Sequence, residues 1–294
     1  MNDFTIRDLE NLSGIKAHTI RIWEQRYNFL KPQRTDTNIR YYSNEELKKL
    51  LNVALLNKYG FKLCHIDRMQ PDEICRHILA LGDEQARQEK MVNDLVKQMI
   101  DLDADQFEEK IGRYIQAHGI EKTICEIVFP FLEKIGILWQ TNHIMPAQEH
   151  FVSNIIRQKL IVAIDGATPC RQTTKKAVLF LPEGEHHELG LLFLSYLLRR
   201  NGVKVIYLGA NVPMKDVQNV VEVTRPDMAF IHLTSNCRPG FSFEKLLCHI
   251  PNHLGHLPTI ISGYPTHKYC RELPASVSFR KSLAEITEFI QTIR

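Results

Sequence analysis

Apolar residues recur along this chain in three rhythms, and each rhythm predicts a different kind of element. Up to about residue 75 they follow short helical spacings, broken by a polar, turn-rich stretch from Arg34 to Tyr42. Residues 85 to 165 keep a helical spacing throughout, apart from an interruption containing glycine and proline around Ile137 to Pro146. After the polar patch Thr168 to Lys176, compact apolar runs alternate with amphipathic helical segments. The runs are Ala177 to Leu181, Lys204 to Leu208, Met228 to Leu233, Thr259 to Ser262 and, last and faintest, Ser276 to Phe279. Runs of this kind read as strands buried on both faces, so the third block predicts β/α units on a mostly parallel sheet. The expectation is a multidomain protein of α and α/β class, with domains at 1–75, 85–168 and 174–294.

Composition narrows the partners. Of 294 residues, 44% are hydrophobic and 24% charged, which fits a globular chain. A net charge of +3 is mild, so nucleic-acid binding has to come from a local patch. No stretch approaches the roughly 18 apolar residues of a membrane span, and the N-terminus has no apolar signal run. The seven cysteines are scattered without a CxxC pair. That count and spacing fit a reducing cytoplasm and argue against a zinc ribbon or a disulfide framework.

The first block carries the local patch. Thr5 to Arg21 predicts two short helices around Ser13-Gly14, with Leu9, Leu12, Ile15, Ile20 and Trp23 closing a small core. Lys16, His18, Thr19 and Arg21 then fall near the start of the second helix, where a recognition helix meets base edges. The stretch to Tyr42 is β-capable and predicts a two-stranded wing carrying Arg34 and Arg40, with Tyr41 and Tyr42 turned to the sugar-phosphate backbone. The order Thr19-Ile-Arg-Ile-Trp23-Glu24-Gln-Arg26-Tyr27, then Leu30-Lys-Pro32-Gln-Arg34 and Arg40-Tyr41-Tyr42, resembles the MerR-type winged helix-turn-helix. The resemblance adds Arg26 and Tyr27 to the expected DNA contacts and implies a homo-oligomer on double-stranded operator DNA. Asn38 stands where that family usually has glycine in the wing turn, and asparagine tolerates a left-handed backbone.

Two further constellations carry chemistry. Trp139 ends one apolar helical segment and Glu149-His150 opens the next, so an indole and a hydrogen-bonding pair flank one connection. Farther on, Glu185-His186-His187-Glu188-Leu189-Gly190 lies between an expected strand and an expected helix. Imidazole is a good ligand for transition metals, a carboxylate on its other nitrogen would orient it, and Gly190 permits close backbone approach. His186 falls outside this spacing and reads as an ordinary loop residue.

The pattern Glu185-x-His187-x-x-Gly190 is similar to the Asp-x-His-x-x-Gly motif of cobalamin-binding domains, with glutamate for aspartate. Together with Trp139 and Glu149-His150 it resembles the cobalamin-binding MerR-type photoreceptors, the CarH/LitR group, over nearly the whole chain. That resemblance implies a four-helix bundle cap over the upper face of adenosylcobalamin and a Rossmann-like (flavodoxin-like) domain beneath it. It implies Trp139, Glu149 and His150 as contacts of the adenosyl group and His187 as the lower axial ligand of cobalt. Glu185, Glu188 and Gly190 would support His187, while Thr234, Ser235, Ser262 and Gly263 would line the channel for the cofactor's nucleotide tail. The implied activity is repression in the dark as a dimer or tetramer, ended by light. Gln140 stands where the photoreceptors place a histidine, and His232 and Ser262 are bulkier than usual, narrowing the tail channel or hydrogen-bonding the tail. These departures keep a second reading, a light-independent regulator sensing cobalamin or another ligand. A corrinoid protein of methyl transfer is a third, but the chain has no substrate barrel and opens with a DNA reader, so no enzyme activity is expected.

Overall fold

The computed structural model describes residues 4–140, 144–234 and 242–294, and for 137–140 the backbone only. The chain divides into two compact units, Met1–Ile155 and Ile156–Arg294.

The first unit opens with α1 (Ile6–Ser13) and α2 (Ala17–Arg26), followed by the short antiparallel pair β1 (Gln33–Arg34) and β2 (Arg40–Tyr41). Helices α3 (Asn44–Lys58), α4 (Leu63–Ile66) and α5 (Pro71–Leu79) complete the head. Thr5 and Ser43 begin α1 and α3 with capping boxes, each closed by a carboxylate three residues on, Asp8 and Glu46. Leu9, Leu12, Ile20 and Trp23 are buried as the spacing predicts, whereas Ile15 stays only half-buried.

The next block is α6 (Glu84–Asp101), α7 (Ala104–His118), α8 (Ile120–Thr123), one π-helical turn (Ile124–Val128), α9 (Phe129–Gln140) and α10 (Pro146–Asp165). The helical rhythm from 85 to 165 therefore conceals several breaks. Leu102 reverses the chain after α6 with φ at 55°, and Asp103 caps α7 through Gln106 N–H. Phe107 and Phe131, both fully buried with ring centres 5.6 Å apart, centre the bundle core. The head is joined to it by polar contacts from α3 to α6: Lys48 to Asp101 at 2.7 Å, Lys97 to Asn52 at 2.8 Å, and Lys58 to Glu89.

In the second unit, strands and helices alternate: β3 (Lys176–Pro182), α11 (Leu189–Arg200), β4 (Lys204–Val212), α12 (Met214–Thr224), β5 (Met228–Leu233), α13 (Phe243–Leu254), β6 (Thr259–Gly263), α14 (Tyr264–Lys268), β7 (Val277–Arg280) and α15 (Leu283–Thr292). The five strands are parallel, in the order β4-β3-β5-β6-β7. This is a doubly wound sheet of the flavodoxin-like kind, with its change of direction between β3 and β5. All five apolar runs of the sequence form strands, and β3 is buried from Ala177 to Pro182 because helices cover both faces. Val178, Phe180, Ile231, Leu246, Ile250 and Ile261 lie at the centre of that core. Among the described residues, no helix is long and apolar enough to cross a membrane.

Candidate functional site

In the head, the turn Gly14-Ile15 delivers Lys16 as the residue capping α2, where it meets Glu10 at 3.1 Å while staying exposed. Ile20 and Trp23 face inward, so His18 and Arg21 stand on the opposite, exposed face of α2, with Thr19 beside them partly buried. Two residues not singled out from the sequence share that face, Gln25 and Ile22, the latter 43% exposed. An exposed isoleucine on a reading helix suits the methyl group of thymine. Arg26 is exposed at the end of α2, and Tyr27 stacks on Phe29 at 5.8 Å.

The wing forms in register, Gln33 with Tyr41 and Arg34 with Arg40. Asn38 takes φ of 65°, as its place in the turn requires, and its side-chain oxygen accepts from Arg34 at 2.5 Å. Tyr41 donates its hydroxyl to Gln33 at 2.6 Å. Behind the wing lies a group that sequence spacing does not reveal. The Glu24 side chain, 7% exposed, pairs with Arg40 Nε at 3.3 Å and accepts from the hydroxyl of Tyr42, which is fully buried and therefore not turned to the sugar-phosphate backbone as the sequence suggests. Burial raises the Tyr42 hydroxyl pKa, and the hydrogen bond to Glu24 raises it further. Glu24 thus fixes where Arg40 can point. Glu24→Ala is expected to cost about 1–3 kcal/mol, because it strands a buried hydroxyl, and to weaken DNA binding through Arg40. Urea midpoints and DNA titrations on the folded variant measure both; unaltered DNA affinity would remove Glu24 from any positioning role.

In the bundle, Glu149 and His150 lie in the first turns of α10. The carboxylate meets His150 Nδ1 at 3.1 Å and accepts from Ser153 at 2.5 Å, and the His150 side chain is 71% exposed. The helix start is anchored by Gln148, almost wholly buried, which accepts from Met145 N–H at 3.1 Å and donates to Ile100 O at 3.1 Å. The Trp139 and Gln140 side chains, His143 and Ser235 lie outside the described residues.

In the second unit, the loop after β3 is organised by one buried carboxylate. Glu185, 1% exposed, accepts through Oε1 from His186 N–H and His187 N–H, both at 2.9 Å, and meets His187 Nδ1 at 2.6 Å. Burial raises its pKa, but the His187 ring and the two backbone donors outweigh this and hold it below the usual carboxylate value. The His187 side chain is 61% exposed, and Glu185 engages Nδ1, so a metal outside the loop would meet Nε2. One imidazole backed by a carboxylate suits a metal whose other positions are already filled, as in a macrocycle, better than a free ion.

The neighbouring residues divide between two tasks. Thr234 Oγ1 reaches His187 O at 3.4 Å from the end of β5. Glu188 turns elsewhere: it pairs with Arg157 and accepts from Tyr207 at 2.9 Å, two partners distant in sequence and not foreseen from it. Burial pushes the Tyr207 hydroxyl up to about 12. Gly190 opens α11 directly against the ring of His232, and a side chain there would collide with it. Ser262 accepts or donates at 2.8 Å to His232 Nδ1, and Gly263 passes so close to Leu233 that a methyl group would stand 2.0 Å from its carbonyl oxygen.

Comparison with known proteins matches two segments of the chain, both preceding the five-stranded sheet. Residues 4–73 match the MerR HTH family regulatory protein model, and residues 91–163, on α6 to α10, match a B12 binding domain model. The HTH-type transcriptional repressor CarA of Myxococcus xanthus is 27% identical over 98% of this chain and 95% of its own length. CarH of the same organism, also an HTH-type transcriptional repressor, is 26% identical over 88% of each. The monomethylamine corrinoid protein of Methanosarcina barkeri shares the fold, with a TM-score of 0.57 and 15% identity over 70% of this chain and 100% of that one. Residues 4–73 are thus similar to the MerR HTH family and residues 91–163 to B12 binding domains, while the chain over most of its length is similar to the CarA and CarH repressors.

Proposed function

We propose that this protein is a light-responsive transcriptional repressor that holds operator DNA in the dark as an adenosylcobalamin-dependent homo-oligomer, dimer or tetramer, and releases it on illumination. The observation that carries the cofactor half is the Glu185–His187 pair: an exposed imidazole, oriented at 2.6 Å by a buried carboxylate, in the loop after the first strand of a doubly wound sheet. Loops at that end of such a sheet are where ligands bind. The kinship with CarA and CarH supports the repressor half.

Bound adenosylcobalamin would supply a cobalt–carbon bond that light breaks. His187 would hold the metal from below through Nε2, and Glu185 would fix the tautomer and direction of its ring. Trp139, Glu149 and His150 would take the adenosyl group, and Thr234, Ser235, Ser262 and Gly263 would line the lower side. Lys16, His18, Thr19 and Arg21 would read base edges, with Arg26, Tyr27, Arg34, Arg40 and Tyr41 on the backbone. For the cofactor to control DNA, it must bind the DNA-competent assembly more tightly than the alternative. Gln140, in place of the photoreceptors' histidine, favours a second reading in which the cofactor is sensed without light.

Purification with adenosylcobalamin in darkness, followed by absorption spectra, sizing and operator titrations before and after green light, tests this. Bound corrinoid and an assembly that dissociates only after light are expected. His187→Ala should lose the spectrum of histidine ligation, whereas Arg34→Ala should keep that spectrum and flatten the salt dependence of DNA binding by about one unit of slope. Bound corrinoid with assembly and DNA binding unchanged by light would leave the second reading; absence of any corrinoid would remove both.

A further inference from the structure

The carboxyl ends of the parallel strands hold a side chain that neither DNA contact nor metal ligation explains. His232 is the penultimate residue of β5, and its ring lies against the first turn of α11. A methyl group at Gly190 would stand 2.2 Å from its Cδ2 and 2.5 Å from its Nε2, so the ring already touches the helix backbone. On the opposite edge, Nδ1 meets Ser262 Oγ at 2.8 Å, and Ser262 is 5% exposed and paired with His232 in the β5–β6 register. Burial holds this imidazole down to about 4, with only a partial opposing pull from Glu185, so it is neutral at pH 7.

The position matters more than the charge. In a sheet of this order the ligand crevice opens where the chain changes direction, between the ends of β3 and β5. Gly190 follows β3 and His232 ends β5, so the ring is wedged into the inner wall of that crevice. If His187 is the lower ligand, as proposed above, the macrocycle turns its lower face toward this wall. The nucleotide tail of a cobalamin springs from that same face. Displaced by His187, it has to run alongside the imidazole toward the strand ends.

We propose that His232 and Ser262 form a stop in this crevice that selects corrinoids by their lower tail, favouring those whose tail is truncated or absent. The proposal rests on the His187 reading and goes beyond it by naming the part of the ligand that is discriminated. A full tail enters only if a ring held from two sides is turned out, whereas a tail-free corrinoid reaches His187 with nothing to displace.

The test is a spectral titration of the full chain with hydroxocobalamin and with diaquocobinamide, which lacks the nucleotide tail, for the wild type, His232→Ala and Ser262→Ala. The wild type is expected to bind cobinamide about tenfold or more tightly than cobalamin, the range seen when a group must enter an occupied interior. His232→Ala should bring the two affinities close to parity by gaining cobalamin. Ser262→Ala, which frees one edge of the ring, should move in the same direction by less. Melting curves without ligand report whether each variant is folded, and Ser262→Ala carries the comparison if His232→Ala is not. Equal wild-type affinities would overturn the proposal, as would a His232→Ala variant that loses cobalamin and keeps cobinamide, since His232 would then hold the tail. A wild type that takes neither corrinoid would remove the His187 reading, and this proposal with it.

Discussion

Replacing Glu185 with alanine is expected to weaken corrinoid binding by about 10–100-fold, the usual effect of losing the group that orients a metal-binding histidine. The reason is geometric. One oxygen of Glu185 gathers the backbone of His186 and His187 together with the His187 ring, so a single truncation releases loop and ligand at once. Two effects compete in the variant. Loss of the accepted hydrogen bonds costs about 1–3 kcal/mol of folding stability, and loss of orientation costs affinity. Glu185→Gln separates them, because it keeps an acceptor oxygen for the backbone donors but removes the charge that holds Nδ1–H. Spectral titration of corrinoid beside urea unfolding of the ligand-free chain gives both numbers. An affinity drop no larger than the stability loss would reduce Glu185 to a structural residue.

Gly263→Ala is expected to destabilise the second unit by about 3 kcal/mol or more. The backbone there has φ of 102°, a conformation that costs a residue with a side chain about 1–3 kcal/mol by itself. The added methyl would also stand 2.0 Å from the carbonyl oxygen of Leu233 and 2.8 Å from its carbon, which are backbone atoms of β5 and cannot rotate aside. Gly190→Ala is the informative comparison. Its nearest obstacle, at 2.2 Å, is the side chain of His232, and it has no left-handed φ to lose. Unfolding curves should therefore rank Gly263→Ala well below Gly190→Ala. The reverse ranking would mean that β5 and β6 separate readily at their ends.

The contrast between these glycines also marks how far the sequence could be read. The strands were legible because each is an apolar run between helical segments, and the head because Trp23, Arg34 and Arg40-Tyr41 keep a fixed order in a short span. The pairing of Glu185 with His187 was legible because both lie in one loop. Contacts made across the fold were not. Glu24 meets Arg40 and Tyr42 only because α2 packs behind the wing, and Glu188 finds Arg157 and Tyr207 from separate elements. His232 was visible as a bulky residue, but its contact with Gly190 appears only once β5 lies beside β3. The break at Leu102 escaped for a local reason: leucine carries no turn preference, so the left-handed residue gave no signal.

The strand order has one more consequence, for the time at which the chain takes shape. Every pairing in the five-stranded sheet is parallel and needs a crossover, and the one between β3 and β5 joins Ala177 to Met228. In the head, α1 packs on α2 and on α3, all between Ile6 and Lys58. Distant contacts must first overcome the entropy of closing long loops, so they form late. A chain emerging from the ribosome N-terminus first thus acquires its helix-turn-helix before its sheet. The newborn protein passes through an interval in which it has a DNA-reading surface and no finished sheet beneath His187.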